Sequence, residues 1–237
     1  MNFPGGGYKV NLLKEALKPY KSDSNRIVLF SDSYDVIFLA DLSSILEKFK
    51  KSGARVLFGA ELFCWPDSNL KQSYPPVESN GYKYLNSGMF IGYASNIYDI
   101  LISSPLKDDD DDQLFYTKVF LKAEMRAKHG IKLDNKAEIF QNLHGLTSDV
   151  SLELIGEGLT VLLNKKFNTH PSLVHGNGPS KTILNNYGNY LAEAFSDGSC
   201  RTCLENNVPD EKLENFKIIV AFFIEQPTPF LRVSFFE

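Results

Sequence analysis

Arg26-Ile27-Val28-Leu29-Phe30-Ser31-Asp32-Ser33-Tyr34-Asp35 is the stretch on which the fold class turns. Residues 26–31 form a short apolar run without polar alternation, which predicts a strand buried on both faces of a parallel sheet. Two carboxylates follow at its carboxyl end, where ligands bind in open α/β sheets. Working outward, Leu42 to Lys51 has Ile45, Leu46 and Phe49 at helical spacing and is closed by Gly53. Arg55 to Ala60 is a second buried strand, and the β-α-β rhythm predicts an α/β domain. Upstream, Tyr8 to Lys18 carries Val10, Leu12, Leu13, Ala16 and Leu17 on a helical stripe that Pro19 stops.

Downstream, a Pro-rich loop runs from Cys64 to Pro76, and Tyr84 to Ala94 reads as a third strand interrupted by Asn86-Ser87-Gly88. Asp112 to Lys128 is the longest helical pattern, ending near Gly130. Short strands follow at Ile131 to Leu133, Glu138 to Leu143 and Leu159 to Leu163, then a Gly/Asn/Pro loop over His175 to Pro179. Ser196-Asp197-Gly198-Ser199 is linker-like. The predicted division is residues 1–195, a linker over 196–215, and a new unit over 216–237 whose first strand is Lys217 to Ile224.

At 237 residues, and about 150 per domain, the chain holds one or two domains. With 18 Phe and 11 Tyr it is too aromatic to be mainly disordered. A net charge of −4 argues against nucleic acid as partner, since phosphates would be repelled. No apolar run approaches the roughly 20 residues of a membrane span, and three cysteines are too few for a disulfide scaffold. Met1-Asn2-Phe3-Pro4 leads straight into Gly5-Gly6-Gly7, and Glu237 closes a strand pattern, so the chain reads as a piece of something longer.

Four groups carry chemistry. Asp32 and Asp35 offer hard oxygen ligands suited to Mg²⁺ or Mn²⁺ bound with phosphates, or else one of them caps a turn. Val174-His175-Gly176-Asn177-Gly178-Pro179-Ser180-Lys181 combines an imidazole, backbone N–H groups made accessible by glycines, and a cation, or is an ordinary Gly/Pro turn. Asp108-Asp109-Asp110-Asp111-Asp112 runs into Gln113-Leu114-Phe115, either a sugar- or cation-binding cluster fixed at a helix start or a solvated acidic loop. Glu61, Phe63-Cys64-Trp65-Pro66 and Leu85-Asn86-Ser87-Gly88 offer an aromatic platform and hydroxyl-recognising groups, or a core Trp and a local bulge.

Together with Gly5-Gly6-Gly7 and Lys9, these motifs resemble the amino-terminal glycosyltransferase domain of the procollagen lysyl hydroxylase family, over nearly the whole chain. The resemblance implies a GT-A type, Rossmann-like α/β fold, truncated at its N-terminus, with the first strand of a following accessory domain. It implies Mn²⁺ held by Asp32, Asp35 and His175. Lys9, Ser33, Tyr34, Gly178 and Lys181 match nucleotide-contacting positions. Trp65, Asn86, Asp111 and Asp112 match positions around the donor sugar and acceptor.

The implied reaction is transfer of a hexose, with retention, from UDP-glucose or UDP-galactose to galactosyl-hydroxylysine or hydroxylysine of collagen. The family's location implies the endoplasmic reticulum lumen or secretion, and its full-length members dimerise. Fe²⁺, 2-oxoglutarate and ascorbate belong to a hydroxylase domain that is not in this sequence. None of His129, His144, His170 and His175 begins the His-x-Asp or His-x-Glu that a 2-His-1-carboxylate triad needs. In an oxidising lumen, Cys200 and Cys203 would pair locally. The rival expectation is an inactive fragment that binds metal or collagen without turnover.

Overall fold

The computed structural model describes residues 6–155, 159–191, 218–224 and 230–236. Its first helix, α1 (Gly7–Leu17), buries Val10, Leu13 and Leu17, the stripe expected from their spacing. Strand β1 (Ile27–Asp32) follows, its first five residues buried, and a turn at residues 33–35 leads to the short β2 (Val36–Phe38). Helix α2 (Leu42–Ser52) starts where the Asp41 carboxylate accepts the Ser44 N–H and ends at left-handed Gly53. Its inward Ile45, Leu46 and Phe49 each contribute about 1.5–3 kcal/mol by burial. Strands β3 (Val56–Glu61) and β4 (Tyr84–Tyr93) come next, then helix α3 (Ala94–Leu101).

Helices α4 (Asp112–Leu121) and α5 (Ala123–Lys128) replace the single long helix that the pattern predicts. The chain breaks at Lys122, whose ψ of 111° is extended. Arg126 folds back to donate to the Phe120 carbonyl at 2.6 Å, satisfying an acceptor at the end of α4. Strands β5 (Ile131–Asp134), β6 (Phe140–Asn142), β7 (Val150–Ile155), β8 (Leu159–Asn164) and β9 (Leu173–His175) precede helix α6 (Lys181–Leu191). Strands β10 (Ile218–Ile224) and β11 (Phe230–Phe236) complete the described chain.

The sheet order is β11-β10-β1-β4-β3-β6-β9-β2, with β5 also on β3, while β7 and β8 make a separate hairpin. The α/β reading holds, with β1 parallel to β10 and β3 parallel to β5 and β6, but the expectation of a parallel sheet is corrected at β4. Strand β4 lies between β1 and β3 and is antiparallel to both, so the sheet is mixed. The apolar run reported two-sided burial, which is real, and not strand direction: Val28 and Phe30 face the core built by α1, α3 and α4, while Ile27 and Leu29 face the core under α2.

The expected interruption of the third strand is a bulge. Strand β4 continues through Asn86-Ser87-Gly88, but Phe58 pairs with Phe90 and Gly59 with Asn86, so Ser87, Gly88 and Met89 are looped out of the β3 ladder. Strand β10 joins the same sheet, parallel to β1. The linker at 196–215 and the Cys200–Cys203 pairing lie outside the described residues. Among the described residues, no helix is long and apolar enough to cross a membrane.

Candidate functional site

Strand β1 carries Asp32 to the carboxyl edge of the sheet, and the turn after it brings Asp35 back. Strand β2 pairs antiparallel with β9, setting Val36 opposite His175, and the Gly176 N–H donates to the Asp35 carbonyl at 2.8 Å. This register presses His175 against Asp35, with Nε2 3.5 Å from Oδ1. One ligand atom each from Asp32, Asp35 and His175 lie within 4.8 Å of one another.

Space for that cluster is left by Gly88 in the β4 bulge. A Cβ there would sit 2.3 Å from His175 Cε1, 2.8 Å from Nδ1 and 3.0 Å from Asp32 Oδ2. His175 Nδ1 faces two amide oxygens, Asn142 Oδ1 at 3.0 Å and Asn86 Oδ1 at 3.2 Å. Both amides are oriented by other bonds, since Asn142 Nδ2 donates to the Ala60 carbonyl and Asn86 Nδ2 to Glu61. Two acceptors place a proton on Nδ1, so Nε2 is the nitrogen aimed at Asp35, to donate to its carboxylate when protonated or to offer a lone pair to a metal when not.

Behind the cluster lies a buried polar network centred on Glu61, which is 3% exposed. Its Oε1 accepts from Asn86 Nδ2 at 3.0 Å and Gln113 Nε2 at 2.8 Å, and its Oε2 accepts from Asn177 Nδ2 at 3.1 Å. Asn177 Oδ1 in turn accepts the N–H groups of Leu143 and His144. Burial pushes the Glu61 carboxyl up, against the three amide donors that favour its ionised form.

On the outer side the partners are charged. Lys9, projecting from α1, bridges Asp32 Oδ1 at 3.2 Å and Asp112 Oδ2 at 3.1 Å. Burial would lower the Lys9 pKa, but the two carboxylates outweigh it and hold the ammonium well above its usual range. Lys181, the first residue of α6, reaches Asp35 Oδ2 at 3.1 Å. Burial also raises the Asp35 carboxyl, yet His175 and Lys181 prevail and draw it down to about 2. Asp32 goes the other way: burial outweighs Lys9 and His175 and raises it.

The acidic run divides its labour. Asp111 caps α4 by accepting the Leu114 N–H at 2.7 Å, and burial raises its carboxyl. Asp112 turns to Lys9 and accepts from Ser87 Oγ at 2.9 Å. Asp108 and Asp110 hold the start of α1, through Asn11 Nδ2 to Asp108 Oδ1 and the Gly7 N–H to the Asp110 carbonyl.

Thus the structure brings Asp32, Asp35, His175, Lys9, Asp112 and Lys181 into one site. Asn86 is buried behind it, bonded to Glu61, Gln113 and His175. Ser33 lies in the turn between β1 and β2. Tyr34, in the same turn, and Trp65, beyond β3, are each 63% exposed. Gly178 adopts a φ of +58° at the start of the turn leading to α6. Sequence reading gave no role to Asn142 or to Gln113, and none to the side chain of Asn177. The available sign was a polar residue, such as Gln141 or Asn142, where a buried strand calls for an apolar one.

Residues 1–201 match a family model described as the PLOD GT domain. The chain is 50% identical over 231 residues to the procollagen-lysine,2-oxoglutarate 5-dioxygenase of Drosophila melanogaster, covering 97% of this chain and 32% of that protein. It is 43% identical over 230 residues to the multifunctional procollagen lysine hydroxylase and glycosyltransferase of Caenorhabditis elegans, covering 96% and 31%. Identity, length and coverage are the same for the Homo sapiens protein called multifunctional procollagen lysine hydroxylase and glycosyltransferase LH3. The chain therefore spans about a third of the length of these relatives.

Proposed function

This chain belongs to the PLOD GT domain family, and from that premise we propose that it transfers a hexose from a UDP-sugar, UDP-glucose foremost, to galactosyl-hydroxylysine or hydroxylysine of collagen. The observation that carries the reading is the convergence of Asp32, Asp35 and His175 around the space left by Gly88. Two carboxylates and an imidazole whose Nε2 is aimed at Asp35 form a mixed oxygen and nitrogen donor set that fits Mn²⁺. When bound, the metal supplies Lewis-acid stabilisation of the departing diphosphate.

The chain's own residues do the rest. Lys9 and Lys181 flank the carboxylates, and their ammonium groups provide fixed positive potential where diphosphate charge develops. Tyr34, in the turn between the two aspartates, presents its ring to the nucleotide, with Ser33 beside it. The left-handed turn at Gly178 lets backbone approach the phosphates closely. Asp112, held by Lys9 and Ser87, and Asp111, fixed at the helix start, orient sugar and acceptor hydroxyls. Trp65 offers its exposed face to the sugar ring. Asn86 acts at one remove, by fixing the His175 ring. We place this activity in the lumen of the endoplasmic reticulum or in the secreted space, where the collagen acceptor is found.

The test is calorimetric titration of UDP with Mn²⁺ and with chelator, together with release of glucose from UDP-glucose. Binding and hydrolysis should both require Mn²⁺. Asp32→Ala should lower hydrolysis by about 10²–10³-fold, the size of a lost Lewis-acid contribution of several kcal/mol. Nucleotide affinity that survives chelation, or hydrolysis unaffected by Asp32→Ala, would sink the reading.

A further inference from the structure

We propose that Leu62, Phe63 and His144 form a ledge that binds the polypeptide flanking the acceptor side chain, laid down as an extended proline-rich strand. The proposal rests on the transferase reading above and adds the part of the substrate that the charged site does not address.

The chain leaves β3 at Glu61, whose side chain turns inward, and then surfaces. Leu62, Phe63 and Trp65 are 42%, 43% and 63% exposed, so three of the eight exposed large apolar side chains among the described residues fall within four positions. Such clustering marks an interaction surface in a way that scattered apolar residues do not. The ledge is also built. The Phe63 ring packs on the His144 imidazole with centroids 4.6 Å apart. Gly145 beneath them has φ +73°, and a Cβ there would lie 2.6 Å from Phe63 Cε2 and 3.1 Å from Leu62 Cδ2. On the other flank, a Cβ on Gly178 would lie 3.2 Å from His144 Nδ1. The His144 N–H is held by Asn177 Oδ1 at 2.9 Å, and Asn177 is tied to Glu61, so the support below the rings is the buried network of the site.

Position and chemistry then select the occupant. At one end, the Trp65 carbonyl accepts from Gln113 Nε2, next in sequence to Asp112; at the other, Gly178 precedes Lys181. The ledge thus borders the charged site through Asn177, which holds the His144 N–H and stands two residues from His175. Residues 62–66 are Leu-Phe-Cys-Trp-Pro and carry no charge. A polyproline II strand has no internal hydrogen bonds and docks its rings on aromatic grooves at little entropic cost, and Gly-X-Y chains take that conformation.

Trp65 is the only tryptophan, so its emission reports on the ledge. The full chain is titrated with an unglycosylated (Gly-Pro-Pro)n peptide while Trp65 fluorescence is followed. A saturable change is expected for the unaltered chain, weakened at least tenfold by Phe63→Ala or His144→Ala and largely restored by Phe63→Tyr. Transfer is then compared with two acceptors. Phe63→Ala should raise KM for a galactosyl-hydroxylysine peptide about tenfold, leaving KM for free galactosyl-hydroxylysine and acceptor-free UDP-glucose hydrolysis unchanged. Peptide titrations that match in wild type and Phe63→Ala, or equal KM changes for both acceptors, overturn the ledge alone. Peptide binding lost in Phe63→Ala, with no hydrolysis or transfer by either protein, overturns the transferase reading and leaves the ledge as a peptide-binding surface.

Discussion

Outside the Asp32–Asp35–His175 cluster the partners are the ammonium groups of Lys9 and Lys181, whereas behind it they are Asn86, Asn142, Gln113, Asn177 and the buried carboxylate of Glu61. The outer layer is held by ion pairs, which are less directional than hydrogen bonds; Lys9 lies mostly buried between Asp32 and Asp112, while Lys181 reaches Asp35 from an exposed position. The inner layer is held by hydrogen bonds between groups that water does not reach, and each bond broken there leaves a donor or acceptor without a partner. One layer is suited to trading partners during a reaction cycle. The other is suited to keeping a ring nitrogen aimed.

The largest test of that contrast is Gly88→Ala, at the seam between the layers. The added methyl meets His175 and Asp32 together, so hydrolysis should fall by at least about 10²-fold and stability by about 1–3 kcal/mol, read by assay and urea denaturation. Full activity in that variant would mean that the cluster is not held where the inner layer puts it.

Next come opposite pH dependences in chelator-treated protein. The Asp35 pKa lies near 2 folded against 3.8 unfolded, so its stabilisation of about 2 kcal/mol is complete above 3.8 and lost as pH falls through 2. Glu61 is raised above 4.5, so the cost of its ionised form is present at neutral pH and relieved as pH falls to 4.5. Urea denaturation across this range should show wild type losing ground to Asp35→Asn on acidification and gaining ground on Glu61→Gln. Shifts of the same sign would erase the distinction. The smallest effect belongs to Lys181→Ala. Its exposed ion pair is worth under about 1 kcal/mol of stability, while activity should drop several-fold and become less sensitive to salt, checked by hydrolysis assays at two ionic strengths.

The outer layer was the legible one. Asp32 and Asp35 follow an unmistakable strand, and His175 stands in a Gly-rich loop, so residue type and local punctuation marked them as candidates beside the reading as ordinary turns, and the family resemblance joined them into one set with Lys9. The inner layer was hidden because its bonds join positions far apart: Glu61 to Asn177, and Asn86 to His175. Strand direction was hidden for a related reason, since two-sided burial makes the same apolar run in parallel and antiparallel neighbours. The three-residue β2 carries too little pattern to register, and the break at Lys122 depends on Arg126 reaching back to Phe120. Asp108 to Asp112 shows the limit most plainly. Identical letters serve as a helix cap, anchors for α1 and the partner of Lys9, and only the fold tells them apart.

Strand β10 lies beside β1 with Ile27 opposite Ile218, so the strand that presents Asp32 is flanked by one of the last segments of the described chain to be synthesised. Until that segment emerges, β1 has an open edge of unpaired N–H and C=O groups next to a completed β4 neighbour. The pairing that covers this edge joins positions far apart in sequence, the kind of contact that forms slowly, and it falls on the strand that carries Asp32.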